Sequence, residues 1–168
     1  MEIERKFLIN EKGKNYYSPF PIDELKKDIK QKGKKIIQHY LPIELAEEIL
    51  KHFDFKITFK ISEIRLRKIN KKCYITVKSA GSIKRHELEK RISKEDFENY
   101  SELKTKTIEK CKLNKYLDKN KIEFNYFPKY SLITAEIEFE SMIQAERFTS
   151  HMKEITEIDQ YKNRNLAK

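Results

Sequence analysis

A chain of 168 residues is long enough for one domain with a sizeable core, and three Gly and four Pro leave little material for flexible linkers. Charged residues make up 38% and hydrophobic ones 38%, which with 11% aromatics argues against a disordered chain. The 37 Lys and Arg against 27 Asp and Glu give a net charge of +10, which favours an anionic partner: nucleic acid, an anionic membrane surface or phosphate-rich small molecules.

Cys73 and Cys111 are too few and too scattered for a disulfide framework or a zinc site, and four isolated histidines add no Cys/His cluster. The N-terminus has no apolar leader, and no apolar run approaches membrane-spanning length. The expectation is a cytoplasmic protein without a membrane partner, with structural thiols, forming a single domain over residues 1–168.

In chain order, period-2 alternation of apolar and polar residues dominates. It predicts strands over 2–9, 34–41, 63–69, 72–79, 84–92, 107–113, 121–127 and 131–140, and helices over 22–31, 43–53, 94–103 and 142–153. Ser93 offers a cap for the third helix, with Glu95 and Asp96 in its first turn. Ser141 offers one for the fourth, where Met142, Ala145, Phe148 and Met152 share a face. Ile57, Phe59 and Ile61 alternate in odd register, Ile64 and Leu66 in even register. The phase flips at Ser62-Glu63, so a turn or bulge is expected there. Residues 154–168 read as a short strand or turn followed by a docked tail.

The polar faces of these strands are unusually rich in full charges. Glu2, Glu4 and Lys6 oppose Ile3, Phe7 and Ile9; Arg65 and Arg67 oppose Ile64 and Leu66; Lys78 opposes Val77. Arg85, Glu87, Glu89 and Arg91 line the fifth strand, Lys110 and Lys112 the sixth, Glu123 and Asn125 the seventh, and Glu136, Glu138 and Glu140 the eighth. Any one of these strands is ordinarily a solvated, salt-bridged face. Eight of them are enough to close a barrel, and apolar faces turned outward under helices would send the charges inside. The predicted architecture is α+β: an eight-stranded antiparallel closed β-barrel with helices packed on the outside. Such an interior is costly unless ions, water and a charged ligand fill it. Clustered Arg and Lys suit phosphate oxygens, and clustered carboxylates suit Mg²⁺ or Mn²⁺. Together they describe a site for a metal–polyphosphate complex, bound by side chains because no P-loop is present.

These residues resemble the triphosphate tunnel metalloenzymes, or CYTH family. The opening Met1-Glu2-Ile3-Glu4-Arg5-Lys6-Phe7 resembles its N-terminal E-x-E-x-K signature. Gln38-His39-Tyr40-Leu41, Ile64-Arg65-Leu66-Arg67, Thr76-Val77-Lys78, Arg85-x-Glu87-x-Glu89, Glu109-Lys110-Cys111-Lys112, Ala135-Glu136-Ile137-Glu138-Phe139 and Tyr161–Ala167 follow in the family's order. The resemblance covers essentially the whole chain and implies an eight-stranded triphosphate tunnel open at both ends, dependent on Mg²⁺ or Mn²⁺. By matching positions, it makes Glu2, Glu4 and Glu138 metal ligands with Glu136 assisting, and offers Glu87 and Glu89 for a second metal site or for orienting basic residues. Lys6, Arg65, Arg67, Lys78, Arg85, Lys110 and Lys112 would bind the triphosphate, and turnover is expected to depend on Glu4, Lys6 and Glu138.

Departures from the family pattern bear on substrate more than on fold. Lys112 stands where Arg is frequent, Asn125 where Asp is usual, and His39 and Ser79 where Gly is common. The leading expectation is an inorganic triphosphatase acting on tripolyphosphate, with nucleoside triphosphates as poorer substrates and a homodimer as an open alternative to a monomer. A class IV-type adenylyl cyclase on the same scaffold is the alternative; it would need an adenine pocket, for which Tyr40, Phe127 and Tyr130 are candidates. A non-catalytic binder of RNA or polyphosphate ranks behind both, because carboxylates interleaved with the basic residues repel a bare polyanion. Nucleic acid is accordingly the disfavoured partner.

Overall fold

The computed structural model describes residues 1–168. The strands are β1 Glu2–Glu11, β2 Lys14–Asn15, β3 Lys34–Leu41, β4 Glu63–Ile69, β5 Lys72–Lys78, β6 Lys84–Arg85, β7 Glu87–Ile92, β8 Lys106–Leu117, β9 Asn120–Phe127, β10 Leu132–Glu138 and β11 Lys153–Glu154. The helices are α1 Ile22–Lys32, α2 Ala46–His52, α3 Lys94–Ser101, α4 Met142–Arg147 and α5 Asn163–Leu166. No helix is long and apolar enough to cross a membrane.

All pairings are antiparallel, in the order β11-β1-β10-β9-β8-β3-β4-β5-β7, with β2 and β6 also on β1. The expected closed eight-stranded barrel is therefore corrected: the sheet has 11 strands and does not close. The reason lies in residues 84–92, expected as one strand. His86 interrupts them by exchanging backbone and hydroxyl contacts with Ser79: Ser79 N–H donates to His86 O (3.0 Å) and His86 N–H to Ser79 Oγ (2.9 Å). Before the break, β6 pairs with Glu2 and Ile3 of β1; after it, β7 pairs with β5 alone. Three short strands, β6, β11 and β2, thus share the second edge of β1. Gly81 lets the connecting loop turn, with φ +146° and no room for a Cβ, which would lie 2.3 Å from Lys84 O.

Alternation sorts the side chains as expected. Outward apolar residues form two cores under the helices. Leu25 and Ile29 of α1 cover Phe7, Phe124, Ile133, Ala135 and Ile137; Ile49 of α2 and Phe97 of α3 cover Ile64, Leu66, Ile75 and Val77. Ile57, Phe59 and Ile61 pack on the second core as irregular chain, and β4 begins at Glu63, which resolves the phase flip. Ser93 caps α3 through Asp96 N–H and Ser141 caps α4 through Gln144 N–H. Helix α4 ends at Arg147, short of residue 153, where Arg5 Nη1 takes the carbonyls of Ala145 and Phe148, both at 2.7 Å.

The inner face is charged over only part of its length. At one end Leu8, Tyr40, Ile108, Phe127 and Leu132 follow the charged residues on the same strand faces and pack with Ile155, Tyr161 and Ala167 of the C-terminal segment. On this side the polar space is bordered by an apolar floor.

Candidate active site

Above that floor lie two adjoining chambers of about 300 and 260 Å³ that share Glu4, Arg65, Arg85, Glu136 and Asn163 as a common waist. The first opens between residues 79–82 and the C-terminal segment 156–164, with Lys6 and Glu63 in its wall. The second is lined by Glu2, Arg67, Lys78, Glu87, Lys110, Lys112, Lys121, Glu123 and Glu138. Of the metal and triphosphate ligands expected from the sequence, only Glu89 lies outside both walls; it accepts from Arg67 Nη2 (2.7 Å) and Thr76 Oγ1 (2.8 Å).

Strand register brings the carboxylates together. Glu4 is opposite Glu138 and Lys6 opposite Glu136 across β1 and β10, and Glu2 is opposite Arg85 across β1 and β6. Most acidic groups are drawn to bases. Glu2 Oε2 lies 2.7 Å from Arg85 Nε and 3.2 Å from Lys78 Nζ, Glu4 Oε1 lies 3.2 Å from Arg85 Nη2, and Glu136 Oε1 lies 3.3 Å from Lys6 Nζ. Glu87 is paired with Lys78, and Glu123 bridges Lys112 (3.5 Å) and Lys110 (4.0 Å). Glu138 stands exposed at the rim, outside any ion pair.

These surroundings shift the titrations in opposite directions. Burial, then the charges of Glu136 and Glu2, holds the Glu4 carboxyl well above the usual carboxylate range. Burial works against Glu2 and Glu136 too, but Lys78 and Arg85 beside the first, and Lys6 and Lys110 beside the second, pull both down. Burial pushes the Lys110 ammonium down to about 8, against Glu136 and Glu123. No three carboxylates, histidines or cysteines converge on one point to form a metal cage. The donor set still fits a hard divalent cation. It consists of carboxylate oxygens, and a cation there would offset both the burial that chiefly raises Glu4 and the repulsion from Glu136 and Glu2 that adds to it.

Arg65 differs from its neighbours. It is buried, its Nε has no hydrogen-bond partner, and unlike Arg67 and Arg85 it has no carboxylate within 4.0 Å. Burial opposes its charge, but Tyr40, Glu63, Glu87 and Glu2 together keep the guanidinium firmly protonated. Gln38 Oε1, Asn125 Oδ1 and Thr134 Oγ1 are likewise buried without partners, on inward positions of β3, β9 and β10. Buried polar atoms are ordinarily satisfied, so this face is built around polar contents.

Glu63, Lys121 and the C-terminal Thr156, Asp159, Lys162, Asn163 and Arg164 also line the chambers, although the sequence does not single them out as site residues. Glu63 was legible, since it shares the odd register of Arg65 and Arg67. The C-terminal residues reach the chamber from turns, where no strand period marks them.

No protein-family model matches the sequence, and a search of curated proteins finds no relative. Solved structures do match. The inorganic triphosphatase NE1496 is similar over 99% of this chain and 94% of its own, with 26% identity and a TM-score of 0.57. PH1012 from Pyrococcus horikoshii OT3 is 19% identical over 87% of this chain and 82% of its own, with a TM-score of 0.52. A Bacillus halodurans protein with a provisional adenylate cyclase assignment is 15% identical over 87% and 84%, with a TM-score of 0.53. The last two share the fold alone. The resemblance to the CYTH family is borne out by the likeness to the inorganic triphosphatase, and the other two structures share its fold.

Proposed function

We propose, on its likeness to the triphosphate tunnel metalloenzymes, that this chain is a divalent-metal-dependent hydrolase of triphosphates with inorganic tripolyphosphate as its preferred substrate. The observation that carries the reading is Arg65, a buried guanidinium that faces both chambers and has no carboxylate within 4.0 Å. An unpaired buried cation costs several kcal/mol, roughly 3–5 when a partner is removed from a pair, and a bound phosphate offsets that cost. Its planar donors match phosphoryl oxygens two at a time. Lys6, Arg85, Lys78, Lys110, Arg67 and Lys112 surround it with further cations.

Glu2, Glu4, Glu136 and Glu138 would hold Mg²⁺ or Mn²⁺, with Glu87 at the edge of the set. When bound, the metal supplies charge neutralisation on the phosphoryl oxygens and a more acidic water. The side chains bind and orient: Arg65 and Arg85 at the waist grip the chain where the chambers meet, and Lys6 and Lys110 neutralise the oxygens beneath it. Phosphoryl transfer asks mainly for position and charge, so water is a sufficient nucleophile.

The cyclase reading is less well supported. Tyr40 and Phe127 are packed in the apolar floor, Tyr130 donates its hydroxyl to Leu166 O, and neither chamber has an aromatic residue in its wall. The test is phosphate release from tripolyphosphate, ATP and thiamine triphosphate with Mg²⁺, with Mn²⁺ and with chelator. Metal-dependent release, fastest from tripolyphosphate, is expected; release indifferent to chelator, or none, overturns the proposal. Glu4→Gln and Lys6→Ala should each remove turnover and leave the fold intact, and activity in both would sink the site assignment.

A further inference from the structure

Arg164 stands in the wall of the first chamber and makes neither an ion pair nor a hydrogen bond. We propose that it is a specificity-determining residue: it holds the second terminal phosphate of an inorganic phosphate chain and so separates tripolyphosphate from nucleoside triphosphates. The inference deepens the proposed function and rests on triphosphate binding in the two chambers.

Its placement is firm. The α5 turn is closed by Leu166 N–H to Lys162 O (3.0 Å) and Ala167 N–H to Asn163 O (2.9 Å). The segment is pinned by Tyr161 and Ala167 in the apolar floor, and Lys168 exchanges both backbone hydrogen bonds with Thr107, at 2.9 and 3.0 Å. Arg164 is therefore carried on an anchored turn. Its neighbours are already committed: Asn163 Oδ1 accepts from Lys6 Nζ (3.2 Å), and Lys162 is paired with Asp159. Arg164 alone in this turn presents a free, half-buried cation, in the same chamber wall as Arg65 and Arg85.

The chemistry of the two substrate classes then decides what it reads. An inorganic chain ends in a doubly ionisable phosphoryl group on each side. A nucleoside triphosphate replaces one of these by a singly charged phosphoryl ester with sugar and base behind it. Lys78, Lys110 and Lys112 serve one end from the second chamber. At the other end, Ala80 is the one apolar residue in the first chamber's wall, and no aromatic residue lines that chamber. A guanidinium there matches a terminal phosphoryl group two oxygens at a time, and an ester-bearing one less well. The site thereby gains affinity for one class and withholds it from the other.

The test is the selectivity for tripolyphosphate over ATP, read as the ratio of kcat/KM with Mg²⁺ and as the ratio of Kd by calorimetry. Wild type, Arg164→Ala and Arg164→Lys are compared, with thermal melting as the folding control. Losing one charge-assisted contact should lower tripolyphosphate affinity roughly tenfold to a hundredfold in Arg164→Ala. ATP should change less than about threefold, and Arg164→Lys should recover part of the ratio while melting stays unchanged. Equal weakening for both ligands, or an unchanged ratio, overturns the inference and leaves the proposed hydrolase standing. No hydrolysis with a binding ratio that still falls overturns the hydrolase and upholds Arg164. Binding of neither ligand to wild type overturns both.

Discussion

Along β1 the inward side chains run from Glu2, Glu4 and Lys6 to Leu8, and along β9 from Glu123 and Asn125 to Phe127. The same face of the same strands is charged at one end and apolar at the other. Phe127 marks the boundary, with Lys6 Nζ and Lys110 Nζ each 6.0 Å from its ring centroid. The apolar end, with the two outer cores, supplies hydrophobic burial. The charged end holds a buried guanidinium outside any direct ion pair, a lysine pushed down to about 8 and several unpartnered polar atoms. Binding capacity and stability are thus separated along one axis, and substitutions on the two sides of Phe127 should behave oppositely.

The largest expected effect is at the boundary. Phe127→Ala removes a fully buried ring from the floor and should cost about 3–5 kcal/mol in a urea melt; a loss below about 1 kcal/mol would deny the floor its role. Next comes Arg65→Met, expected to lower kcat/KM by roughly 10²–10³ with the fold retained in a thermal melt. A variant that is both active and destabilised would reverse the comparison.

Lys110 sharpens it through pH. Its folded pKa, about 8, lies below the ordinary 10.5 because of burial. Between these values the unfolded chain binds the proton that the native state has released, so stability rises with pH across that window. The cost is complete below about pH 8. Lys110→Met should therefore be more stable than wild type by about 1–3 kcal/mol at pH 7, and the gap should close towards pH 10.5 in paired denaturant melts. A gap that does not change with pH would refute it. The smallest effect lies outside the inner face altogether. Ser93→Ala removes the α3 cap at Asp96 N–H (3.0 Å) and should cost about 1 kcal/mol with turnover unchanged.

Much of this was legible in the sequence, for a specific reason. In a strand the period is two, so Glu2 and Glu4, Arg65 and Arg67, and Glu136 and Glu138 had to share a face whatever the rest of the chain did. Alternation carries no information about position along the axis, so the floor made by Leu8, Tyr40 and Phe127 was not visible, nor was the end of the polar space. The break at His86 depends on Ser79, seven residues away, and so escaped a pattern read within one strand. Helix α4 was predicted too long because the stripe of Met142, Ala145, Phe148 and Met152 continues past its end. The stripe is satisfied by Phe148 and Met152 packing on the core as irregular chain, while Arg5 from β1 takes the last carbonyls. Arg164 belongs to the same class of miss, a residue whose meaning comes from what its turn is docked against.

The place of β1 in the sheet has a consequence for how the chain reaches this state. Apart from β2, which pairs only with Asn10 and Glu11, its partners lie at residues 84–85, 132–138 and 153–154, so most of the strand remains unpaired until much of the later chain has been made. Pairings this distant in sequence belong to the slow end of two-state folding, milliseconds to seconds, and stopped-flow refolding would read that scale directly. Throughout the wait, Ile3, Phe7, Leu8 and Ile9 form an apolar strand with open edges, a template for intermolecular pairing. Glu2, Glu4, Arg5 and Lys6, four charges in five positions, are the kind of residues that discourage such pairing. The groups that make the chamber thus also protect the nascent chain that will enclose it.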